Sequence, residues 1–187
     1  QAALAAPLAD QTGSVTHAEG FTEITFQQRE TDPPEALAEN WRAEADGPDG
    51  IRAIWADWAE TTMGRDLGPR AARVTALGWG GAGLVALPGE IFAATALSLR
   101  KDLTTGAPLF LLSYADDNPG YIPPQSAYAQ GGYEVEEAHR FYGMGATVAP
   151  GTAERLARTG YHAAKTARGR PTDTQSTKIY ATEGSKS

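Results

Sequence analysis

Apolar positions recur with a period of two in some segments of this chain and of about 3.6 in others, so strands and helices are predicted to alternate. Residues 21–29 alternate apolar and polar side chains, which predicts a half-exposed strand. Residues 31–45 place a threonine and an aspartate before two prolines and then continue as a helix-forming run. A second helix is predicted over 51–62, and its apolar face, which we assign to the core, consists of Ile51, Ile54, Trp55 and Trp58.

The middle of the chain predicts a β-hairpin followed by a helix and a buried strand. Two apolar runs, 73–79 and 83–87, flank a glycine-rich turn that lacks the sequence patterns of phosphate-binding loops. A helix is predicted over 91–103, and residues 109–115 form an apolar run that is typical of a strand buried on both faces. A last amphipathic helix is predicted over 150–167, with one side made of Leu156, Ala157, Tyr161 and Ala164. Together these elements predict an α/β fold, a layered mixed sheet with flanking helices.

Composition limits the classes of function. The 187 residues are 41% hydrophobic, which is enough for one domain with a core. We assign residues 1–167 to this domain and 168–187 to a polar tail that is mobile or docks on a partner. A net charge of −7 with scattered lysine and arginine argues against nucleic-acid binding. The chain has no cysteine, which excludes disulfides and thiol nucleophiles, and no apolar run long enough to span a membrane.

Glu90 is the one acid in a run of mostly apolar and small residues, 84–100. It follows a Pro-Gly turn at the carboxyl end of a predicted buried strand. Residues 116–124, a loop rich in Asp, Asn, Pro and Gly that carries Tyr121, follow the carboxyl end of another. In α/β sheets, binding sites are built at such strand ends. Glu90 is therefore either a first-turn residue that the helix dipole favours or a ligand aimed into a pocket.

Three segments carry a resemblance to a known family: LPGEIFAATALSLRK, LFLLSYADDNPGYIPPQSAYAQGGYEVE and PGTAERLART. From about residue 84 to 159 the chain resembles the C-terminal half of the catalytic domain of the neutral/alkaline ceramidases, which are zinc-dependent amide hydrolases. In that family a glutamate and a loop tyrosine complete a zinc site, and they match Glu90 and Tyr121. A further tyrosine of the family contacts the substrate amide. It follows the ligand tyrosine by 12 residues and so matches Tyr133.

The remaining site residues of the family would come from a second polypeptide. Its two zinc-binding histidines, serine nucleophile and anion-binding arginine belong to sequence that would precede Gln1. The immunoglobulin-like domain of larger family members has no counterpart in this sequence. The histidines of this chain lack metal-site spacing, and we interpret them as structural or surface residues; they are His17, His139 and His162. The resemblance thus implies the C-terminal portion or small subunit of a heteromeric enzyme. We expect activity only when an N-terminal half or large subunit completes the larger catalytic domain.

The chemistry of zinc hydrolases suits these residue types. Imidazoles and one carboxylate hold the metal and leave a position open for water, and Glu90 would supply the carboxylate. A phenol with its ordinary pKa of about 10 is a poor ligand, but a nearby dication would stabilise phenolate at Tyr121. Tyr133 would donate a hydrogen bond to the amide oxygen as negative charge develops there.

The resemblance implies hydrolysis of an N-acyl amide, with ceramide as one such substrate, Zn²⁺ as the cofactor and a role in lipid metabolism. It also implies secretion or a periplasmic location, as in bacterial ceramidases, whereas the absence of cysteine leaves a cytoplasmic location open. A second hypothesis, from a different class of protein, is a non-catalytic interaction domain or subunit that retains the fold. A partner polypeptide with histidine metal motifs distinguishes the two.

Overall fold

The computed structural model describes residues 13–80, 82–103, 108–169 and 177–180. Its elements in chain order are β1 (Val15–Ile24), β2 (Phe26–Gln27), α1 (Pro34–Ala43), α2 (Ile51–Thr61), β3 (Arg70–Trp79), β4 (Ala82–Ala86), β5 (Glu90–Ile91), α3 (Ala93–Leu103), β6 (Leu109–Leu112), β7 (Tyr121–Ile122), α4 (Tyr133–Glu136), α5 (Ala138–Phe141), β8 (Thr147–Val148), α6 (Thr152–Gly169) and β9 (Thr177–Tyr180). The predicted class, a mixed α/β fold with flanking helices, is confirmed.

One mixed sheet organises the molecule. Its strand order is β6-β4-β3-β1-β9; β3 is antiparallel to β1 and β4, whereas β6 is parallel to β4 and β9 is parallel to β1. β3 and β4 form the predicted hairpin. The strand predicted over 21–29 begins earlier, because β1 pairs with β3 from Val15 opposite Trp79 to Ile24 opposite Arg70. The sequence pattern missed the first half of β1 because this half alternates small and polar side chains rather than large apolar ones.

Helix α6 packs on one face of the sheet and forms the main core with it. It contacts β1, β3 and β4, and α3 packs beside it. Of the side of α6 predicted to be apolar, Leu156 and Ala164 are buried, whereas Ala157 and Tyr161 are half-buried. Full burial of a leucine or valine side chain contributes about 1.5–3 kcal/mol to the free energy of folding. The large side chains of this core include Val74, Val85, Leu87, Leu99 and Leu156.

One corner of the opposite face of the sheet, at β6 and the adjoining end of β3, is apolar and exposed, whereas charged and polar side chains of β1 and β3 occupy the rest of that face. Leu109 and Leu111 of β6 pack into the main core, so the alternation of the strand turns Phe110 and Leu112 to the other side. There Phe110 is 59% exposed, Leu112 is 49% exposed and Trp79 is 50% exposed. The prediction that residues 109–115 are buried on both faces is therefore wrong. Within the described residues, the helices α3 and α6 cover only the side of Leu109 and Leu111.

Helices α1 and α2 form a smaller layer with its own core around tryptophans. Trp55 and Trp58 are buried, as predicted, whereas Ile51 and Ile54 are 42% and 51% exposed, so the assignment of the two isoleucines to the core is wrong. The tryptophans instead pack against a cation. The guanidinium carbon of Arg140 lies 4.7 Å from the ring centroid of Trp55 and 5.4 Å from that of Trp58.

Most of the polar tail assigned to 168–187 lies outside the described residues, including the part expected to be mobile or to dock on a partner. Of this segment, Arg168 and Gly169 complete α6, and Thr177–Tyr180 forms β9. Across the ranges that the structure describes, no helix has the length and apolar character needed to cross a membrane.

Candidate active site

Glu90 and Tyr121 are brought together by two short strands. β5 and β7 are parallel, and Glu90 is the register partner of Tyr121. The pairing arises because β4 and β6 are parallel neighbours, so the segments that leave their carboxyl ends run side by side. The backbone N–H of Glu90 donates to the carbonyl oxygen of Gly120 at 2.8 Å, which ties the two segments together. The two residues predicted as zinc ligands are thus neighbours across one ladder.

Two glycines allow this close approach. Gly89 has a φ of +71° and Gly120 has a φ of +79°, in the left-handed region that favours glycine. A Cβ on Gly89 would lie 2.8 Å from the carbonyl oxygen of Gly120. A Cβ on Gly120 would lie 2.9 Å from the ring of Tyr142. At both positions a side chain is therefore disfavoured by the backbone conformation and by the space available.

The Glu90 carboxylate is bound by tyrosine hydroxyls. Tyr114 donates a hydrogen bond to Oε2 at 2.7 Å, and Tyr142 donates one to Oε1. Helix α3 begins at Ala93, and Glu90 lies ahead of it in β5. Glu90 is therefore not in the first turn of α3. The helix was predicted to begin at residue 91, which is two residues too early.

Tyr133 completes an aromatic cluster beside the carboxylate. The rings of Tyr121 and Tyr133 lie edge to face with 6.0 Å between their centroids, and the ring of Phe92 lies 6.4 Å from that of Tyr121. Tyr133 opens α4 and is 43% exposed. The structure thus brings all three predicted site residues into one cluster: Glu90, Tyr121 and Tyr133.

A cavity of about 230 Å³ lies against this cluster. The cavity is lined by two carboxylates, two tyrosines and one phenylalanine, among other residues. It therefore combines polar groups with aromatic rings, as binding pockets do. Of the lining residues, sequence reasoning identified only Glu90 and Tyr121; among those it missed are Tyr114 and Glu134. The full lining consists of Glu90, Ile91, Phe92, Ser113, Tyr114, Tyr121 and Glu134.

The hydrogen bonds set the charge state of the site. Burial opposes ionisation of Glu90, but hydrogen bonds from three tyrosines outweigh it, so the pKa of Glu90 lies below its ordinary value. The three donors are Tyr142, Tyr114 and Tyr121. Burial raises the pKa of Tyr121, and the negative charge of Glu90 raises it further. The site of this chain therefore presents an anionic carboxylate among neutral phenols, and a cation is needed to make Tyr121 a phenolate.

A zinc ion at this cavity would find two of its four ligands in Glu90 and Tyr121. Glu90 and Tyr121 supply a carboxylate and a phenol from one ladder. The histidines lie elsewhere: His17 is in β1, His139 in α5 packs against Trp58, and His162 is in α6. Among the residues that the structure describes, no three His, Asp or Glu side chains come together as a group that could hold a metal ion. A tetrahedral zinc site at Glu90 and Tyr121 thus needs further ligands from outside the described residues.

Neither Tyr142 nor Tyr114 was predicted from the sequence as a site residue. Tyr142 lies 52 residues from Glu90 along the chain, so no local spacing links the two. The interpretation of the site accordingly depends on its geometry and on the resemblance of the sequence segments that form it.

Comparisons with protein-family models, with curated proteins and with solved structures found no match for this chain.

Proposed function

We propose that this chain is the C-terminal portion or small subunit of a zinc-dependent amide hydrolase, and that an N-terminal half or large subunit completes its active site. The observation that carries the proposal is the placement of Glu90 beside Tyr121, with the ring of Tyr133 against that of Tyr121. These are the three residues that the resemblance to the ceramidases assigns to the metal and to the substrate amide. Glu90 and Tyr121 line one cavity, and Tyr133 lies beside it through its ring contact with Tyr121, an arrangement that suits a shared catalytic role.

Each residue has a distinct part in amide hydrolysis. Zinc, when bound, acts as a Lewis acid toward the amide and activates water. Glu90 and Tyr121 would hold the metal from this chain, and two histidines of the partner would hold it from the other side. Tyr133, half exposed at the edge of the aromatic cluster, donates a hydrogen bond to the amide oxygen as that oxygen gains negative charge. The nucleophile belongs to the partner.

The N-acyl substrate binds partly outside this chain. The cavity beside Glu90 has a volume of about 230 Å³. Pockets that enclose a drug-sized ligand measure roughly 300–1,000 Å³. A long acyl chain such as that of ceramide therefore needs walls that the partner supplies. The proposal is hydrolysis of an N-acyl amide, and ceramide is one member of that class.

The exposed face of the sheet is the docking surface in this proposal. Phe110 and Leu112 lie on that face, and two residues after Leu112 comes Tyr114, which lines the Glu90 cavity. A partner that covers Phe110 and Leu112 therefore reaches the cavity and is able to place histidines there. Obligate interfaces of this apolar kind bury more than about 2,000 Å².

The isolated chain is expected to bind zinc weakly and to lack hydrolase activity, because two oxygen donors do not make a tight zinc site. Expressed alone, it should aggregate or behave as a molten species, since its apolar sheet face is exposed. Co-expression with the N-terminal half should give a soluble complex with stoichiometric zinc. Size-exclusion chromatography and elemental analysis of both samples measure this. A monodisperse monomer that retains stoichiometric zinc by itself would contradict the expectation.

Phe110→Asp is expected to weaken association with the N-terminal half by at least about 10-fold, because it places a charge in the apolar interface. Leu97→Asp is the matched control: Leu97 is 62% exposed but lies on α3, on the other side of the sheet. Surface plasmon resonance with the immobilised N-terminal half compares the two variants. Equal effects of both substitutions, or unchanged binding by Phe110→Asp, would show that the sheet face is not the docking surface.

A non-catalytic interaction subunit is the second candidate, because the exposed apolar face suits an interaction subunit as well as an enzyme. The two candidates differ at the cavity. Substitution of Glu90 should leave partner binding intact under both candidates, but only the zinc hydrolase should lose hydrolysis by the complex.

A further inference from the structure

Two tyrosines to which the family resemblance assigns no role hold the carboxylate of Glu90. Tyr142 donates to Oε1, and Tyr114 donates to Oε2 at 2.7 Å, so each carboxylate oxygen has its own donor. We propose that Tyr142 and Tyr114 are positioning residues that fix the orientation of the Glu90 carboxylate for the metal. This inference rests on the proposed zinc-dependent function.

The two hydrogen bonds order the carboxylate and still leave it able to bind a metal. A carboxylate has about four lone-pair positions, of which Tyr142 and Tyr114 use one on each oxygen; the hydrogen bond from Tyr121 would be given up when its phenol binds the metal. The terminal torsion of a glutamate is otherwise broad, so an unheld carboxylate samples many orientations. Partners that orient a ligating carboxylate raise metal affinity because the ligand is already ordered when the metal binds.

Tyr142 lies between the Gly120 backbone and the end of α5. Its ring lies against Gly120, where an added Cβ would come within 2.9 Å of it. It follows directly on α5, whose last residue, Phe141, lies 5.9 Å from Tyr133 between ring centroids. Arg140, one residue earlier, is packed against tryptophan rings. The segment that presents Tyr142 therefore packs against the α1–α2 layer through the preceding arginine, and the half-exposed Tyr142 reaches the carboxylate from this segment.

Tyr114 reaches Glu90 from a backbone conformation that is unusual for a bulky residue. Its φ is +60°, in the left-handed region, and its N–H donates to the carbonyl oxygen of Gly89 at 3.0 Å. The hydrogen bond ties the residue to the turn immediately before Glu90. Such conformations persist where the surroundings enforce them and concentrate at functional sites. Tyr114 and Tyr142 thus hold the carboxylate from two separate segments of the chain.

The zinc affinity of the assembled enzyme, measured by competition with a chelator, tests the inference. We expect Tyr142→Phe and Tyr114→Phe each to weaken zinc binding by about 10- to 100-fold, with thermal unfolding still cooperative. Tyr161→Phe is the matched control, because Tyr161 lies in α6 beside His162 and should leave the zinc affinity unchanged. Glu90→Gln should lose zinc more completely than either tyrosine variant.

The visible absorption spectrum of the Co²⁺-substituted enzyme reports ligand geometry independently of stability. We expect the bands to change in Tyr142→Phe and Tyr114→Phe and to stay the same in Tyr161→Phe. Wild-type zinc affinity and an unchanged cobalt spectrum in both variants, with zinc lost only in Glu90→Gln, would overturn the inference and leave the proposed function standing. Retention of zinc by Glu90→Gln would instead overturn the proposed function.

Discussion

Glu90→Gln in the assembled enzyme is expected to lower the rate of amide hydrolysis by more than about 100-fold and to remove zinc with it. Glutamine keeps the shape of the side chain and its acceptor oxygen but removes the charge that balances the metal. The backbone pairing of Glu90 with Tyr121 does not depend on that charge, so the fold should survive. Tyr121→Phe should have the same two effects, because it deletes a single ligand oxygen.

Tyr133→Phe separates the role at the amide from the role at the metal. Loss of one donor to a developing oxyanion lowers turnover by about 10²- to 10³-fold, and zinc should be retained because Tyr133 is assigned to the amide oxygen. Elemental analysis beside the hydrolysis rate of an N-acyl substrate compares the three variants. Full zinc occupancy and near-normal rates in both Glu90→Gln and Tyr121→Phe would return Glu90 to a structural role and remove the hydrolase assignment.

Arg140→Met is expected to lower the free energy of unfolding by about 1–3 kcal/mol, because it removes one hydrogen-bond partner of the buried Glu30 carboxylate while Gln28 and His139 stay beside it. The side chains of Arg140 and Glu30 are each 9% exposed, and Nη2 of Arg140 lies 2.9 Å from Oε1 of Glu30. After the substitution, His139, with Nε2 3.3 Å from the same oxygen, remains beside the carboxylate. Arg42→Met removes a solvent-exposed ion pair with Glu60 and should change stability little. Urea unfolding of both variants measures the difference, and equal losses would contradict the role of burial.

The contribution of Glu30 to stability is expected to depend on pH. Burial opposes its ionisation, but hydrogen bonds from His139 and Arg140 outweigh burial and lower the pKa of Glu30 from 4.5 to about 2. A group whose pKa is lowered on folding stabilises the protein fully above its unfolded pKa, and the contribution of Glu30 is lost as the pH falls from 4.5 towards 2. The shift corresponds to about 3 kcal/mol. The difference in unfolding free energy between wild type and Glu30→Gln should therefore shrink below pH 4.5. A difference that does not vary with pH would contradict this.

The order of the elements was predictable because each long helix buries one periodic face. Helices α1, α2, α3 and α6 lie close to their predicted ranges. Periodicity does not say which neighbour an apolar face meets. Ile51 and Ile54 were assigned to the core because they share a helical face with two tryptophans, yet the tryptophans turn to Arg140 and leave the isoleucines in solvent. The apolar run of β6 likewise indicated two apolar faces, and the described residues cover only one.

The site was predictable only in part. The resemblance identified Glu90, Tyr121 and Tyr133, but not the ladder that makes the first two register partners. Tyr114 and Tyr142 could not be predicted from the sequence, for a physical reason. Their contacts with Glu90 depend on how α5 and the loop after β6 fold onto β5, and no periodic pattern records such a long-range approach.

The position of zinc in crystals of the assembled enzyme, measured by anomalous scattering at the zinc absorption edge, tests the central proposal most directly. We expect one anomalous peak in contact with the Glu90 carboxylate and the Tyr121 hydroxyl, with two histidines of the partner completing the site. Zinc bound elsewhere in the complex, with no peak at Glu90 and Tyr121, would contradict the proposal.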